Sequence, residues 1–504
     1  MNENLHEPAG YAQLIGRLSL AVPRPRHRSF IRLDSGARRV ETDGFLADES
    51  FPASYRPKAK DDDFDQLVFA LKYDGVDLCV LAQVFQRLDR AALAARIAAQ
   101  PTSKYGRRLF FFFELLTGER LPIADLTAAT YCSALEPDEC FVSRSIPVSR
   151  YRVLDNLLGG RGFCPTVRRT ASLENWRRRD LPGRAAAISA TVDPALLARA
   201  VWYLYTKETK SSFAIEREDP GDRMQRFAEQ LATVARLQID DESGLVALQR
   251  DIVQEPYREE RFRRPGDLEV YVSGPGRSRP IVHHVGARSV ATPELMRAWS
   301  SMREVEGTGG EVIEAACRSF AFVFIHPFGD GNGRIHRLLL HNRLARRAYF
   351  PRDLVVPVSA VLHRSEAHYD QILEDFSRRV MPHVRYSIDE EGKLTIHEAP
   401  DDAYRYPDLT PQCEATFEWL DRALEEDLVD ELGYLRVYDE IRTGIREVVE
   451  MPDRREQLFI KLCMNNHGRL SNAKRQSFAE LDDATVERLE AVVIAALAGS
   501  ATPA

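Results

Sequence analysis

The chain has 504 residues, of which 44% are hydrophobic and 29% are charged, and its formal net charge is −7. This length predicts several domains, roughly three, and the balance of residue types is ordinary for a folded globular protein. The negative charge argues against a protein that coats nucleic acid non-specifically, so we expect no nucleic-acid partner.

Seven cysteines are spread along the chain without a CxxC pair. This pattern argues against a disulfide framework and a structural zinc site, and it favours a reducing compartment. The first residues lack the basic start and apolar run of a signal peptide, and no segment has the roughly 18 apolar residues of a membrane span. We therefore expect a cytoplasmic protein without a membrane partner.

The N-terminal region, residues 1–200, is predicted to be mainly helical, and its sequence suggests no particular role. Proline and charged residues favour loops over residues 1–60. From residue 64 onwards, apolar residues recur at helical spacing, most clearly in "AALAARIAAQ" and "ALLARAVWYLYTKE".

The central region, residues 201–380, combines helices with one predicted β-hairpin. Residues 267–285 alternate with a period of two around a glycine-proline-glycine turn, which is a hairpin signal. The segment "GEVIEAACRSFAFVFI" is apolar on nearly all sides, so it predicts a central buried helix that ends near Ile325. The last region, residues 381–504, is predicted to be mostly helical, with a small hairpin near its start.

The stretch "HPFGDGNGRIHR", residues 326–337, lies between this buried helix and a second helix that we expect to begin near Gly333. Its glycines, Gly329, Gly331 and Gly333, let main-chain amides approach a ligand closely. A helix start leaves amides unpaired and carries partial positive charge, so it binds anions and above all phosphate. The stretch therefore predicts a phosphate-binding loop.

Polar side chains of the same loop suit phosphoryl or nucleotidyl transfer onto an alcohol. Arg334 and Arg337 share one helix face and can grip phosphate oxygens, while Asn332 adds a neutral donor. Asp330 can hold a polyphosphate through Mg²⁺. His326 titrates near neutral pH and can take a proton from a hydroxyl. The alternative is an ordinary turn, with the histidine on a carbonyl and the arginines on surface acids.

This stretch matches, without departure, the signature of the Fic-domain family, His-Pro-Phe-x-Asp/Glu-Gly-Asn-Gly-Arg-x-x-Arg. The chain thus resembles that family, directly over residues 326–337 only. The resemblance implies a mainly α fold, with a Fic-type helical-bundle core over residues 201–380 and a β-hairpin flap. It also implies transfer of AMP from ATP to a Ser, Thr or Tyr hydroxyl of a target protein, with release of pyrophosphate.

The resemblance assigns roles to the charged residues of the loop. His326 would deprotonate the target hydroxyl, and Asp330 would hold Mg²⁺ on the α- and β-phosphates. Arg334 would brace the phosphates during catalysis, and Arg337 would bind the γ-phosphate.

It assigns roles to the remaining loop residues as well. Gly331, Asn332 and Gly333 would form an anion hole, and Asn332 is counted with the catalytic residues. Phe328 would anchor the loop in the core, and Pro327 would set its exit from the helix, which suits an aromatic side chain and a residue of fixed φ.

The predicted hairpin over residues 267–285 lies where the family carries its target-docking flap. Its edge could pair with an extended segment of the target through main-chain hydrogen bonds. On sequence alone, a simple surface hairpin is an equal alternative. The expected partners are ATP and a target protein, and the sequence leaves a homo-oligomer open.

A segment at the start of the core region, residues 206–218, resembles the inhibitory helix of the family, Ser/Thr-x-x-x-Glu-Gly/Asn. Ser212 and Glu216 match it and lie on one helix face. Glu216 would pair with Arg337, occupy the γ-phosphate site and misalign ATP. The chain departs from the pattern at Arg217, where the family usually has Gly or Asn. An exposed, charged helix end is the alternative.

Other functions remain open from the sequence. The same loop could transfer UMP, phosphate or phosphocholine, or it could remove AMP from a modified protein with Glu216 positioning a water. A non-enzymatic, nucleotide-sensing module for protein binding is a second class. A DNA-binding regulator that uses residues 405–504 is a third, although the many acids of that segment argue against it.

Overall fold

The computed structural model describes residues 6–59, 61–127, 129–218, 221, 223–274, 281–351, 354 and 356–500. The chain divides into two compact units. The first comprises Met1–Asp180, Ser212–Tyr349 and Leu362–Trp419, and the second comprises Leu181–Ser211, Phe350–Val361 and Leu420–Ala504. The loop at residues 326–337 belongs to the first unit.

Helices dominate the structure, which confirms the predicted mainly α class. In the N-terminal half they are α1 (Tyr11–Leu18), α2 (Asp63–Tyr73), α3 (Leu78–Phe85), α4 (Arg90–Ala98), α5 (Lys104–Thr117), α6 (Ala171–Arg177), α7 (Leu181–Ala190), α8 (Pro194–Ile215), α9 (Arg223–Ala232) and α10 (Glu242–Ile252). In the C-terminal half they are α11 (Thr292–Ser300), α12 (Gly310–Ile325), α13 (Asn332–Arg346), α14 (Val358–Arg364), α15 (Glu366–Val380), α16 (Asp401–Arg405), α17 (Thr410–Arg422), α18 (Val429–Val448), α19 (Asp453–Met464), α20 (Asn472–Arg475) and α21 (Asp483–Ser500).

The strands of the described residues form four small sheets. They are β1 (His6–Ala9), β2 (His27–Arg32), β3 (Arg39–Asp43), β4 (Leu46–Phe51), β5 (Cys132–Ser133), β6 (Ile146–Val148), β7 (Val153–Asp155), β8 (Tyr271–Gly274), β9 (Ile281–Val285), β10 (Arg385–Ile388) and β11 (Leu394–Glu398). The first sheet has the order β1-β2-β4-β3, with β2 and β4 parallel, and the second has the order β5-β7-β6.

Both predicted hairpins are confirmed. β8 pairs with β9, and β10 pairs with β11, each pair antiparallel. Residues 275–280, which include most of the predicted first turn, lie outside the described residues.

The prediction of loops over residues 1–60 was wrong, because these residues form the four-stranded sheet and α1. Charged residues hid the strand pattern. In β2, Ser29 and Ile31 are buried between more exposed neighbours, and no residue of β3 is buried. The structure also adds the sheet of β5, β6 and β7 to the region predicted as mainly helical.

The core of the first unit surrounds α12, as predicted for a central buried helix. Every residue of α12 except Glu311 is buried. α11, α13 and α16 pack against it, and on its last turns Phe324 stacks on Phe376 of α15 with ring centroids 4.2 Å apart. Burial on all sides explains why its sequence lacks a polar face. This packing fixes the end of α12, where the candidate site begins.

The second unit is helical and has its own apolar core. Part of that core joins Ala185 and Leu204 to Leu428 and Leu432, and a separate cluster joins Phe459 of α19, Phe478 and Leu489 of α21. No helix in the described part of the chain combines the length and the apolar character that crossing a membrane requires.

Candidate active site

The phosphate-binding stretch predicted from sequence forms a short loop between two packed helices. α12 ends at Ile325, and α13 begins at Asn332, which confirms the predicted boundaries within one residue. His326 closes α12 with a φ of 57°, in the left-handed region that few residues other than glycine adopt. Its amide donates to the Phe322 oxygen over 2.9 Å. The histidine therefore sits at the turn itself and carries its ring out of the helix.

The imidazole of His326 is held as a neutral base. Its Nδ1 lies 3.0 Å from the main-chain oxygen of Val323. Because a carbonyl only accepts, Nδ1 carries the proton and Nε2 keeps its lone pair. Burial lowers the pKa of His326 to about 4, and the nearby Arg263 guanidinium acts in the same direction. At neutral pH the ring can therefore accept a proton at Nε2.

Arg263, which the sequence did not single out, fixes the end of α12. Its Nε donates to the His326 oxygen over 3.0 Å, and its Nη2 donates to the oxygens of Ala287 and Ile325 over 2.7 and 3.3 Å. Its Nη1 pairs with Glu269 over 3.1 Å. This one buried side chain thus joins the loop to the residues on either side of the β8–β9 hairpin.

The loop is closed by Phe328 and Asn332. Phe328 is fully buried against Phe262, with ring centroids 5.2 Å apart. The Asn332 side chain accepts from the Phe328 amide over 3.1 Å and donates to the Phe328 oxygen over 2.8 Å. Asn332 thus shapes the loop in this structure, and Pro327 beside it is also buried.

Two glycines allow close approaches at the start of α13. Gly331 has a φ of 89°, and a Cβ there would lie 2.7 Å from Val253. A Cβ on Gly333 would lie 2.2 Å from Oε1 of Glu216. The carboxylate of Glu216 therefore sits directly over the helix start, where the sequence places an anion site.

Neighbouring carboxylates hold the other amides of the loop. Gly329 donates its amide to Glu259 over 2.6 Å. Asp330 accepts from the Gly331 amide over 2.5 Å and from Nη2 of Arg334 over 3.1 Å through one oxygen, Oδ1. The Asp330 side chain is 39% exposed.

Asp330 fits a Mg²⁺ ion that is shared with a phosphate. Mg²⁺ commonly uses one or two protein carboxylates and completes its shell with water and phosphate oxygens. A partly exposed carboxylate at the entrance of a cationic loop supplies that kind of ligand. In the described part of the chain, no cluster of three or more His, Cys, Asp or Glu side chains forms a metal cage of its own.

Arg334 and Arg337 lie side by side on α13, and each is almost fully buried. Arg337 contacts Glu216 over 2.8 Å, and it donates to the Ser212 hydroxyl over 3.0 Å and to the Ser212 oxygen over 2.8 Å. The structure thus brings Ser212 and Glu216 onto Arg337, as the resemblance to the inhibitory helix implied. Arg334 contacts Glu218, which the sequence did not single out.

The turn after α8 places Arg217 in a left-handed conformation, at the position where the motif that this segment resembles usually has Gly or Asn. Arg217 has a φ of 57°. Its amide donates to Ala214, and the Glu218 amide donates to Phe213, over 2.9 and 3.1 Å. These two bonds define a Schellman cap, whose left-handed position favours glycine. Arg217 therefore occupies its place under backbone strain.

Two openings flank His326. One is a largely apolar cavity of about 180 Å³ between β9, α12 and α15, which reaches Val272, Asp370 and Leu373. The other is a groove of about 830 Å³ along residues 266–271, the segment leading into β8, and it reaches Gly329. Two different groups can therefore approach the imidazole from different sides.

The family model of the Fic/DOC family matches residues 239–344. A solved structure of a Fic family protein from Desulfovibrio desulfuricans G20 is similar, with 17% identity, a TM-score of 0.38, and coverage of 62% of this chain and 85% of that chain. No curated protein matches the chain. The matched residues 239–344, which include the loop, the β8–β9 hairpin and both motif arginines, are similar to a Fic domain.

Proposed function

We propose that this protein is an adenylyltransferase that moves AMP from ATP to a Ser, Thr or Tyr hydroxyl of a target protein. The observation that carries the proposal is the neutral His326 imidazole, with its Nε2 lone pair free of the Val323 contact, beside two buried arginines at a helix start. A proton acceptor next to a polyphosphate site suits group transfer onto an alcohol.

Each residue of the site would have its own role in the reaction. Nε2 of His326 takes the proton of the target hydroxyl as its oxygen attacks the α-phosphorus of ATP. The bond from the α-phosphorus to the bridging oxygen breaks, and pyrophosphate leaves. Arg334 and Arg337 hold the phosphates, and the main-chain amides at Gly331 and Gly333 meet the developing negative charge. Asn332 keeps these amides in place through its bonds to Phe328.

The proposed reaction also uses Mg²⁺, and Asp330 would be its protein ligand. When bound there, the ion would offset the negative charge of the phosphates. Asp330 would then exchange its contact with Arg334 for the ion.

The target would approach along the β8–β9 hairpin. The groove beside residues 266–271 reaches His326, which also lines the apolar cavity. An extended target segment can pair with a strand edge there through main-chain hydrogen bonds, and the cavity is left for the nucleotide. The division predicted from sequence stays a prediction: residues 201–380 would be the catalytic core, residues 1–200 an N-terminal region and residues 381–504 a C-terminal domain.

The proposal includes autoinhibition by Glu216. Its carboxylate contacts Arg337 over 2.8 Å and covers the start of α13 at Gly333. The γ-phosphate would need the same arginine, so ATP binds productively only when Glu216 moves away. The hydroxyl of Ser212, on α8, accepts a hydrogen bond from Nε of the same arginine.

The test is a transfer assay with ATP labelled at the α-phosphate. We expect Glu216→Gly to raise self-modification above the wild-type level, and the AMP adduct to appear by mass spectrometry on a Ser, Thr or Tyr. The double variant Glu216→Gly, His326→Ala should lose it. Label that enters only from the γ-position would indicate phosphate transfer, and label from UTP alone would indicate UMP transfer. Binding of ATP without any transfer, with candidate targets present, would contradict the enzyme and favour a nucleotide-sensing module.

A further inference from the structure

We infer that Glu218 is a second inhibitory carboxylate of this site, which blocks Arg334 as Glu216 blocks Arg337. The inference rests on the proposed nucleotide site and concerns its regulation. Two ion pairs carry the inference. Glu216 contacts Arg337, and Glu218, two residues further along the chain, contacts Arg334.

Glu218 contacts Arg334 through both of its carboxylate oxygens. Nη1 of Arg334 lies 3.0 Å from Oε2 of Glu218, and Nη2 lies 2.9 Å from Oε1. This fork-to-fork geometry is the one by which a guanidinium also binds a phosphate. Glu218 therefore occupies the arginine in the same way that a phosphate group would.

The pairing leaves no terminal N–H group of Arg334 for a ligand. Besides Glu218, Nη1 donates to the Ile252 oxygen over 3.0 Å, and Nη2 donates to Asp330 over 3.1 Å. Nη1 thus donates two hydrogen bonds, whereas Nη2 donates one to Asp330 and lies in the ion pair with Glu218. Nε of Arg334 has no hydrogen-bond partner, but a phosphate can reach the two terminal nitrogens only if Glu218 or Asp330 gives way, and removal of Glu216 alone changes neither contact.

The Schellman cap links the two carboxylates. Glu216 and Glu218 stand on either side of Arg217, and the cap fixes their spacing through the main chain. A movement that opens this turn would withdraw both from the arginines together. Arg223 also contacts Glu218 over 2.7 Å, so the carboxylate has a partner on α9 that does not belong to the loop.

The experiment measures ATP affinity of the full-length chain in the presence of Mg²⁺, by calorimetry, for the wild type, Glu216→Gln, Glu218→Gln and the double variant. We expect each single variant to bind ATP more tightly, on the order of tenfold, and the double variant to bind most tightly. Glu229→Gln, on the exposed face of α9, is the matched control and should bind like the wild type.

A double-mutant cycle shows whether Glu218 acts through Arg334. In an Arg334→Lys background, Glu218→Gln should bring little or no gain. If Glu218→Gln instead weakens ATP binding, or leaves it unchanged while Glu216→Gln improves it, Glu218 positions Arg334 and the inference is wrong. Glu218→Asp, which withdraws the carboxylate by one methylene, gives the same comparison if the glutamine variant does not fold. Because binding is measured, a failure of AMP transfer in every variant would contradict the proposed reaction without deciding this point.

Discussion

The main-chain oxygen of Val323 accepts a hydrogen bond from Nδ1 of His326 over 3.0 Å, so the catalytic candidate is locked in one tautomer. Together with a pKa of about 4, this contact makes the ring a base that is ready at neutral pH. A histidine of ordinary pKa, near 6.5, would be half protonated just below neutral pH.

We predict that the acidic limb of the pH-rate profile lies near pH 4. The base acts only when it is deprotonated, so kcat/KM should stay level from neutral pH downward and fall only as the pH approaches the pKa of His326. Arg263, from the segment before β8, and His284 of β9 lie near the ring, and Asp370 of α15 lines the same cavity. The profile is best measured on Glu216→Gly, in which the proposed brake is removed. A limb near pH 6.5 would show that the ring is not desolvated as the structure has it.

Arg217→Gly should strengthen the brake. The left-handed backbone at this position costs a non-glycine residue about 1 kcal/mol, which corresponds to about fivefold in an equilibrium. Glycine removes that cost, so the cap should close more firmly and basal self-modification should fall several-fold.

The matched control for this prediction is Arg217→Ala. Alanine removes the charge but keeps the backbone strain, so its basal activity should stay near the wild-type level. Equal loss of activity in the alanine and glycine variants would mean that the charge of Arg217, and not its φ angle, sets the brake.

Arg263→Ala should slow the reaction more than it weakens ATP binding. The substitution leaves the oxygens of Ile325, His326 and Ala287 without their donor and leaves Glu269 without its ion pair. Removing one partner of such a buried pair typically costs about 3–5 kcal/mol of stability, so the thermal midpoint should also fall.

Arg263→Lys keeps the positive charge and can still donate to some of these oxygens. It should therefore be more stable and react faster than Arg263→Ala. ATP affinity, measured beside kcat, separates displacement of His326 from general unfolding, because neither Arg334 nor Arg337 contacts Arg263. A normal kcat in Arg263→Ala would contradict the positioning role of Arg263.

The sequence predicted the loop and the two helix ends beside it because these residues are local in the chain. Residues 326–337 follow one another from the end of one helix to the start of the next, so their spacing carries the geometry. The main-chain partners of Arg263 could not be predicted in this way, since they lie 24 to 63 residues away along the chain. Glu218 escaped notice because its role depends on the cap at Arg217, and a left-handed arginine has no sequence signal.

The N-terminal sheet was predicted as loops because its strands lack a local signal. Its strands are short and rich in charge, and β3 is exposed along its length, so neither the strand period nor a run of apolar residues was visible. Apolar α12, in contrast, was identified as buried because no polar face interrupts it.

Two buried histidines should make the first unit sensitive to acid. Burial lowers the pKa of both His284 and His336 to about 3, whereas an unfolded histidine titrates near 6.5. Between these values the unfolded state binds more protons, so the free energy of unfolding falls as the pH falls below 6.5, by about 1.4 kcal/mol per pH unit for each histidine. Denaturant midpoints at pH 7, 6, 5 and 4 measure this slope.

His284→Gln isolates one of the two contributions. His284 bonds the Phe324 oxygen and the Ser377 hydroxyl over 2.9 Å each, and glutamine offers a donor and an acceptor without a proton to gain. The variant should be less stable at pH 7, yet its loss of stability between pH 6 and pH 4 should be shallower than that of the wild type. Asp408, with a pKa lowered to about 2 by Arg26 and Arg168, loses its contribution only below this window and affects both proteins equally. Parallel slopes for the two proteins would mean that His284 takes up its proton in the folded state.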